Sequence, residues 1–318
     1  MQVAVLGAGT MGREVARACA LAGHEVRLRD TDSLVVREAV DAIGEQLGRR
    51  VERRKLSESD ATATMDRIVP TQNFADMTGV TVAIEAVPDD LTTKRDVLST
   101  AEDYFLTDTV LATTTDTLPV TDVASALQRP ERAVGLHFFE PVDLTGIVEV
   151  VIAEQTEAGA AQRATSFVES LEKTPVVTRD SPGFVSSRLA VSLGVEAMRL
   201  VEEGVAHPRG VDNAMTLGTH HARGPLELAD IEGLDSRLET LEYLYDELGE
   251  RFRPPQLLKR KVRAGKLGRE AGEGFYVWEA GEPVAAAGDA PDPMPSGGSD
   301  HRELLRSRSG SGEGDGGQ

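Results

Sequence analysis

Val3-Ala4-Val5-Leu6 runs directly into Gly7-Ala8-Gly9-Thr10-Met11-Gly12, and Met11, Val15, Ala18 and Ala22 then fall on one helical face. A strand, a glycine-spaced turn and a helix in that order leave few folds open. Gly7 permits the tight turn, Gly9 lets the backbone approach a pyrophosphate, and Gly12 allows the helix to pack close on the strand. The free N–H groups where the helix begins, around Thr10 and Met11, suit a phosphate. Asp30 ends the second expected strand. An acid there can accept hydrogen bonds from both adenosine-ribose hydroxyls and repel a 2′-phosphate, so NAD is expected over NADP. Arg27 and Arg29 alternate to the other side and read as surface or sheet-flanking residues.

The alternation continues. Short β-branched runs at 3–6, 25–29, 67–70, 80–85, 109–112, 133–137, 146–151 and 175–178 are separated by helical patterns. They predict a parallel sheet covered by helices, a Rossmann-like, doubly wound α/β domain over 1–180. Within it, Val35, Ala39, Ile43, Leu47 and Val51 recur at helical spacing and mark a long amphipathic arm over 32–56. Asp180-Ser181-Pro182-Gly183 is a breaker cluster. Beyond it, 184–203, 211–217, 225–248 and 255–264 read as helices of an all-α domain over 181–280. From 281 to 318 the chain turns to Gly, Ser, Pro, Asp and Ala and is expected to be a disordered tail.

Charge narrows the partners. Asp and Glu number 53 against 34 Lys and Arg, a formal charge of −19, which argues against nucleic acid or an anionic membrane as partner. Only six of the basic residues are lysine, leaving 34 − 6 = 28 arginines. An acidic, lysine-poor surface resembles proteins adapted to high intracellular salt; a GC-rich genome with an acidic bias is the alternative. No apolar run is long enough to span a bilayer and no leader pattern is visible, so a cytoplasmic protein is expected. The single Cys19 excludes an internal disulfide. Adjacent His220 and His221 point apart with no acid or cysteine pattern to complete a site, so no metal is expected. His207, before Pro208, reads as a turn residue, and so does His24.

A candidate for chemistry lies in Gly135-Leu136-His137-Phe138-Phe139, followed by Glu149 inside a β-branched strand. A neutral imidazole held by a carboxylate is suited to proton transfer near neutral pH.

Taken together, these residues resemble the L-3-hydroxyacyl-CoA dehydrogenase family, 3-hydroxybutyryl-CoA dehydrogenases included, over about 1–278. Glu85-Ala86-Val87-Pro88-Asp89-Asp90-Leu91-Thr92-Thr93-Lys94 is similar to a family segment. That match implies Asp89 and Lys94 near the nicotinamide-side ribose. The histidine motif matches at His137, and Glu149 falls on the catalytic glutamate. Further matches are Asp180-Ser181-Pro182-Gly183-Phe184, Gly224-Pro225-Leu226-Glu227-Leu228-Ala229-Asp230 and Gly272-Glu273-Gly274-Phe275-Tyr276. The resemblance implies NAD-dependent oxidation of an L-3-hydroxyacyl-CoA to the 3-ketoacyl-CoA, with His137 as base and Glu149 orienting it. It also implies an arm near CoA and a homodimer. On the first helix of the second domain, Val185, Leu189, Leu193 and Ala197 form an apolar stripe that needs a partner surface.

Three positions depart from the family pattern. Asp116, within Thr113-Thr114-Thr115-Asp116-Thr117-Leu118, stands where a serine is expected, Glu140 where an asparagine follows the phenylalanines, and Ser187 where another asparagine belongs. A carboxylate cannot donate as an amide does. Thr115, Asp116, Glu140 and Ser187 are therefore the candidate substrate-facing residues, with Ser187 and Thr115 replacing lost hydrogen bonds. The alternatives are a dehydrogenase of a free 3-hydroxy acid or sugar acid, and a non-catalytic protein that binds NAD or acyl-CoA.

Overall fold

The computed structural model describes residues 1–287. The chain separates into two compact units that part between Leu189 and Ala190. The first alternates strand and helix: β1 (Gln2–Leu6), α1 (Thr10–Leu21), β2 (Glu25–Arg29), α2 (Ser33–Glu52), α3 (Glu58–Asp66), β3 (Ile68–Thr71), β4 (Val82–Glu85), α4 (Leu91–Glu102), β5 (Val110–Thr113), α5 (Val120–Ala124), β6 (Ala133–His137), β7 (Ile147–Ile152), α6 (Ala158–Ser170) and β8 (Thr174–Arg179). One sheet orders the strands β3-β2-β1-β4-β5-β6-β7-β8. Crossovers pass to both sides of β1, so this is the doubly wound arrangement, and the strand order reverses beside the glycine turn.

Strands β1, β4, β5 and β6 are covered on both faces, which is why they read as unbroken apolar runs. Successive side chains alternate between two cores. Val3 and Val5 of β1 join residues of α1, α2 and α6, while Ala4 and Leu6 join residues of α4 and α5.

The sheet is not wholly parallel. β6 and β7 pair antiparallel, with His137 directly opposite Glu149. Only 138–146 connects them, fewer residues than the dozen or more a parallel crossover needs. The expected arm also differs from a detached element. Val36, Ala39, Ile43 and Leu47 of α2 are buried in the core shared with α1, and α3 folds back against α2.

The second unit follows from within α7 (Ser186–Glu202) and continues with α8 (Pro208–Asn213), α9 (Pro225–Glu232), α10 (Leu234–Leu248), α11 (Gln256–Arg263), β9 (Tyr276–Glu279) and β10 (Glu282–Ala286). The helix expected over 225–248 breaks at Gly233, whose φ of +100° no helical residue adopts. The 211–217 segment divides into the end of α8 and one π turn, Ala214–Gly218. The domain is not purely helical, and the expected tail starts too early. Glu282–Ala286 pairs antiparallel with Tyr276–Glu279 across Ala280 and Gly281, both at positive φ, the backbone that closes a two-residue hairpin. The rest of the expected tail, 288–318, lies outside the described residues. Among the described residues of this unit two carboxylates are buried. Asp230 accepts from the backbone N–H of Phe275 and Tyr276 and from Trp278 Nε1, while Asp212 accepts from Leu226 N, Glu227 N and the Tyr276 hydroxyl.

Candidate active site

The cross-strand register of β6 and β7 brings His137 Nδ1 to 2.6 Å from Glu149 Oε2. Both side chains are buried. Three further donors saturate the carboxylate. Ser186 Oγ donates to Oε2 at 2.7 Å, and the N–H groups of Ser186 and Val185 donate to Oε1 at 2.9 and 3.2 Å. Burial alone would raise the Glu149 carboxyl, but the hydrogen bonds from His137 and Ser186 outweigh it and hold the group below its ordinary value. A carboxylate kept ionised at Nδ1 assigns the ring its proton there, which leaves the Nε2 lone pair to accept one. The ring is framed by Phe139 and Phe184, with centroids 4.5 and 5.8 Å away.

Ser186 is a residue that sequence reasoning missed. Attention falls on Ser187, where the family pattern has an amide, yet it is Ser186 that grips Glu149 while Ser187 is half-buried beside it. The breaker cluster before α7 is the available signal: a helix that opens there presents its first N–H groups to whatever acid is near.

Acids and threonines collect at the carboxyl ends of β4 and β5. Thr117 Oγ1 lies 2.9 Å from Asp89 Oδ2 and 3.3 Å from Asp116 Oδ1. Asp116 reaches solvent but is crowded by surrounding atoms. That burial raises its carboxyl, Asp89 raises it further, and His137 partly offsets both. Thr115 is buried instead of facing outward, and its hydroxyl oxygen accepts from Leu118 N at 2.8 Å and Thr117 N at 3.3 Å. The lone pairs of Thr115 are thus taken up by its own turn, which leaves its O–H as the group that can donate. Glu140 is exposed.

Beneath these residues lies a second missed residue, Glu85, fully buried at the end of β4. Lys94 Nζ donates to its two oxygens at 3.0 and 3.2 Å and lies 3.4 Å from Asp89, while the Thr113 hydroxyl donates to Glu85 at 2.6 Å. Burial raises the Glu85 carboxyl, with Lys94 the main opposing influence. Lys94 is itself only 1 % exposed, so it acts on the surface through Asp89 instead of reaching a ligand directly. A charged residue closing the apolar run Val-Ala-Ile-Glu was the signal.

The glycine turn stands at the same end of the sheet. Gly7 has φ +112°, and a Cβ there would meet Ala86 O at 2.5 Å; a Cβ on Gly12 would meet Gly7 O at 1.9 Å. Above Gly9 the space is open to 4 Å. Gly9 and Thr10 are exposed and Met11 is half-buried. No side chain caps α1, and no acid occupies its first turn. Asp30 Oδ2 accepts from Ala8 N at 2.9 Å, which holds the carboxylate against the turn. An uncapped helix start, an open backbone and a fixed acid fit a dinucleotide. Arg29 lies over the Phe74 ring, 3.9 Å from its centroid, and donates to Gln72 O. Among the described residues, no group of three or more His, Cys, Asp or Glu is placed to hold a metal, and no helix is long and apolar enough to cross a membrane.

Comparison with known proteins gives one family for both stretches of the chain. Residues 2–181 match the 3-hydroxyacyl-CoA dehydrogenase NAD binding domain, and 183–278 match the C-terminal domain of the same family. A probable 3-hydroxybutyryl-CoA dehydrogenase of Bacillus subtilis is 36 % identical over 87 % of this chain and 97 % of its own. The 3-hydroxybutyryl-CoA dehydrogenase of Clostridioides difficile is 34 % identical over 87 % and 99 %. The crystal structure of (S)-3-hydroxybutyryl-CoA dehydrogenase from Ralstonia eutropha superposes with a TM-score of 0.85 at 33 % identity, covering 87 % of this chain and 99 % of that one.

Proposed function

The chain belongs to the 3-hydroxyacyl-CoA dehydrogenase family, and from that premise we propose that it oxidises short L-3-hydroxyacyl-CoA thioesters to 3-ketoacyl-CoA, with His137 as the base. The observation that carries this reading is the four-donor grip on Glu149, which fixes the imidazole and leaves Nε2 free for a proton. The relatives named for 3-hydroxybutyryl-CoA support a short acyl chain.

NAD, when bound, supplies the acceptor for the hydride that leaves C3. Gly7, Gly9, Thr10, Met11 and Gly12 would hold its pyrophosphate, Asp30 its adenosine ribose, and Asp89, steadied by Lys94, the second ribose. His137 Nε2 takes the proton of the 3-hydroxyl, and Glu149 stabilises the imidazolium that results. In the reverse direction the same nitrogen returns the proton. Phe139 and Phe184 limit water beside the ring. Asp116, Glu140 and Ser187 are assigned to the substrate side, where two carboxylates disfavour acyl groups that carry a negative charge.

A cytoplasmic homodimer is part of this reading. Val185 and Leu189, 42 % and 66 % exposed, are the half of the apolar stripe left uncovered in the single chain. Sedimentation at micromolar concentration should give twice the chain mass; a monomer would count against it.

The test is NADH oxidation with acetoacetyl-CoA, at molar and at low salt, for wild type and His137→Gln. Turnover lost in the variant supports the reading. NADH binding without turnover by wild type in either salt condition overturns it, and turnover on free 3-keto acids but not on thioesters would redirect it to a different dehydrogenase.

A further inference from the structure

The connection between β6 and β7 holds a buried charge network that the mechanism does not use. Leu144 N and Thr145 N both donate to Pro141 O, so Pro141 to Thr145 form one compact turn. Asp143 projects from it. Its Oδ1 accepts from Arg17 of α1 at 2.9 Å, and its Oδ2 accepts from Arg50 of α2. Arg17 also makes a two-point contact with Glu14, at 2.8 and 2.7 Å. Two arginines hold two acids, Lys173 adds a third cation within electrostatic reach of Asp143, and of the ion-paired side chains only Arg50, 30 % exposed, reaches the rim.

Net stability is a poor account of such a network. Desolvating these charges costs about what their attraction returns, and an apolar cluster would hold the turn as well. Apolar and polar anchors already exist: Val142 is buried, and Lys173 Nζ donates to the carbonyls of Val142 and Thr145. What the ion pairs add is direction. Thr145 Oγ1 lies 3.2 Å from Phe139 O and 3.1 Å from Pro141 O, so its one proton is shared between the turn that Asp143 anchors and the residue whose ring lies 4.5 Å from the His137 ring.

We propose that Asp143 is a positioning residue: bound by Arg17 and Arg50, it ties α1 and α2 to the turn that sets Phe139 against His137. The proposal rests on His137 being the base. Displacing a positioned ring by about an ångström can cost up to a hundredfold in rate.

The test uses the full chain as wild type, Asp143→Asn, Arg50→Gln and Arg50→Lys, with two readouts. In acetoacetyl-CoA reduction, Asp143→Asn and Arg50→Gln should lower kcat about tenfold or more, with the KM for NADH unchanged and activity substantially restored in Arg50→Lys. In NMR spectra, the His137 ring-proton resonances should shift or broaden in the first two variants and return in the third. Lowered melting temperatures with wild-type kcat and unmoved His137 resonances would overturn the proposal. So would an Arg50→Gln variant that raises only the KM for the thioester, which would make Arg50 a substrate contact. If Asp143→Asn fails to fold, the Arg50 pair decides. If wild type shows no turnover, the function above fails while the resonances still judge the tie.

Discussion

His137 and Glu149 are opposite members of one antiparallel strand pair, and their side chains meet at 2.6 Å. The sheet's reversal after β6 is thus what assembles the imidazole with its carboxylate. Twelve positions of sequence become one cross-strand contact.

Glu149→Gln should lower kcat about a hundredfold or more, because the amide no longer favours the imidazolium. The carboxyl is held below its ordinary value in the folded chain, so its contribution to stability is complete above about pH 5 and lost as pH falls through the lowered folded value. Melting curves should show wild type above the variant at about pH 5, with the gap closing as pH falls below about 4. A gap that widens on acidification would contradict this.

Asp116 carries the opposite sign. Burial, and then Asp89, raise its carboxyl despite His137, so ionising it costs the folded state stability as pH rises above the unfolded value. Asp116→Asn should melt higher than wild type at pH 7 and equal to it near pH 3. It should also raise kcat severalfold for oxidation, since an anion beside a developing alkoxide is removed. Steady-state assays and melts on one preparation check both.

Asp30→Ser removes a charged acceptor held beside the glycine turn. Titration calorimetry should show NAD binding weakened about tenfold or more, with discrimination against NADP reduced. Unchanged selectivity would remove Asp30 from that role.

Lys94→Met leaves Glu85 buried without its cation and should cost about 3–5 kcal/mol in urea unfolding. The double variant Lys94→Met with Glu85→Gln should recover more than half of that loss. Additive losses would show that the pair is not coupled.

Gly274 backs onto Asp230, where an added Cβ would meet Oδ1 at 2.1 Å. Gly274→Ala should cost about 1–3 kcal/mol and shift the emission of Trp278, the chain's single tryptophan, to longer wavelength.

Local pattern explains what was legible. The glycine turn, the apolar strand runs and the acid at Asp30 each follow from a few neighbouring residues, and the doubly wound sheet follows from their order. Strand direction is not written in a β-branched run, so the β6–β7 reversal was invisible there, although the short 138–146 connection excludes a parallel crossover. Ser186 and Glu85 escaped notice because their importance depends on partners 37 and 9 positions away. Thr115 shows the converse: the oxygen of a hydroxyl beside a site is also used by its own turn. Glu282–Ala286 has a tail's composition, yet the Ala280–Gly281 turn gives it a strand to pair with.

The carboxylate of Asp230 has a consequence for synthesis. Its three donors, Phe275 N, Tyr276 N and Trp278 Nε1, are made about 45 residues after the acid they satisfy. A nascent chain that ends before them has every helix among the described residues of the second unit but a charge it cannot bury. The first unit can therefore close on the ribosome, whereas the second waits for Trp278 to emerge.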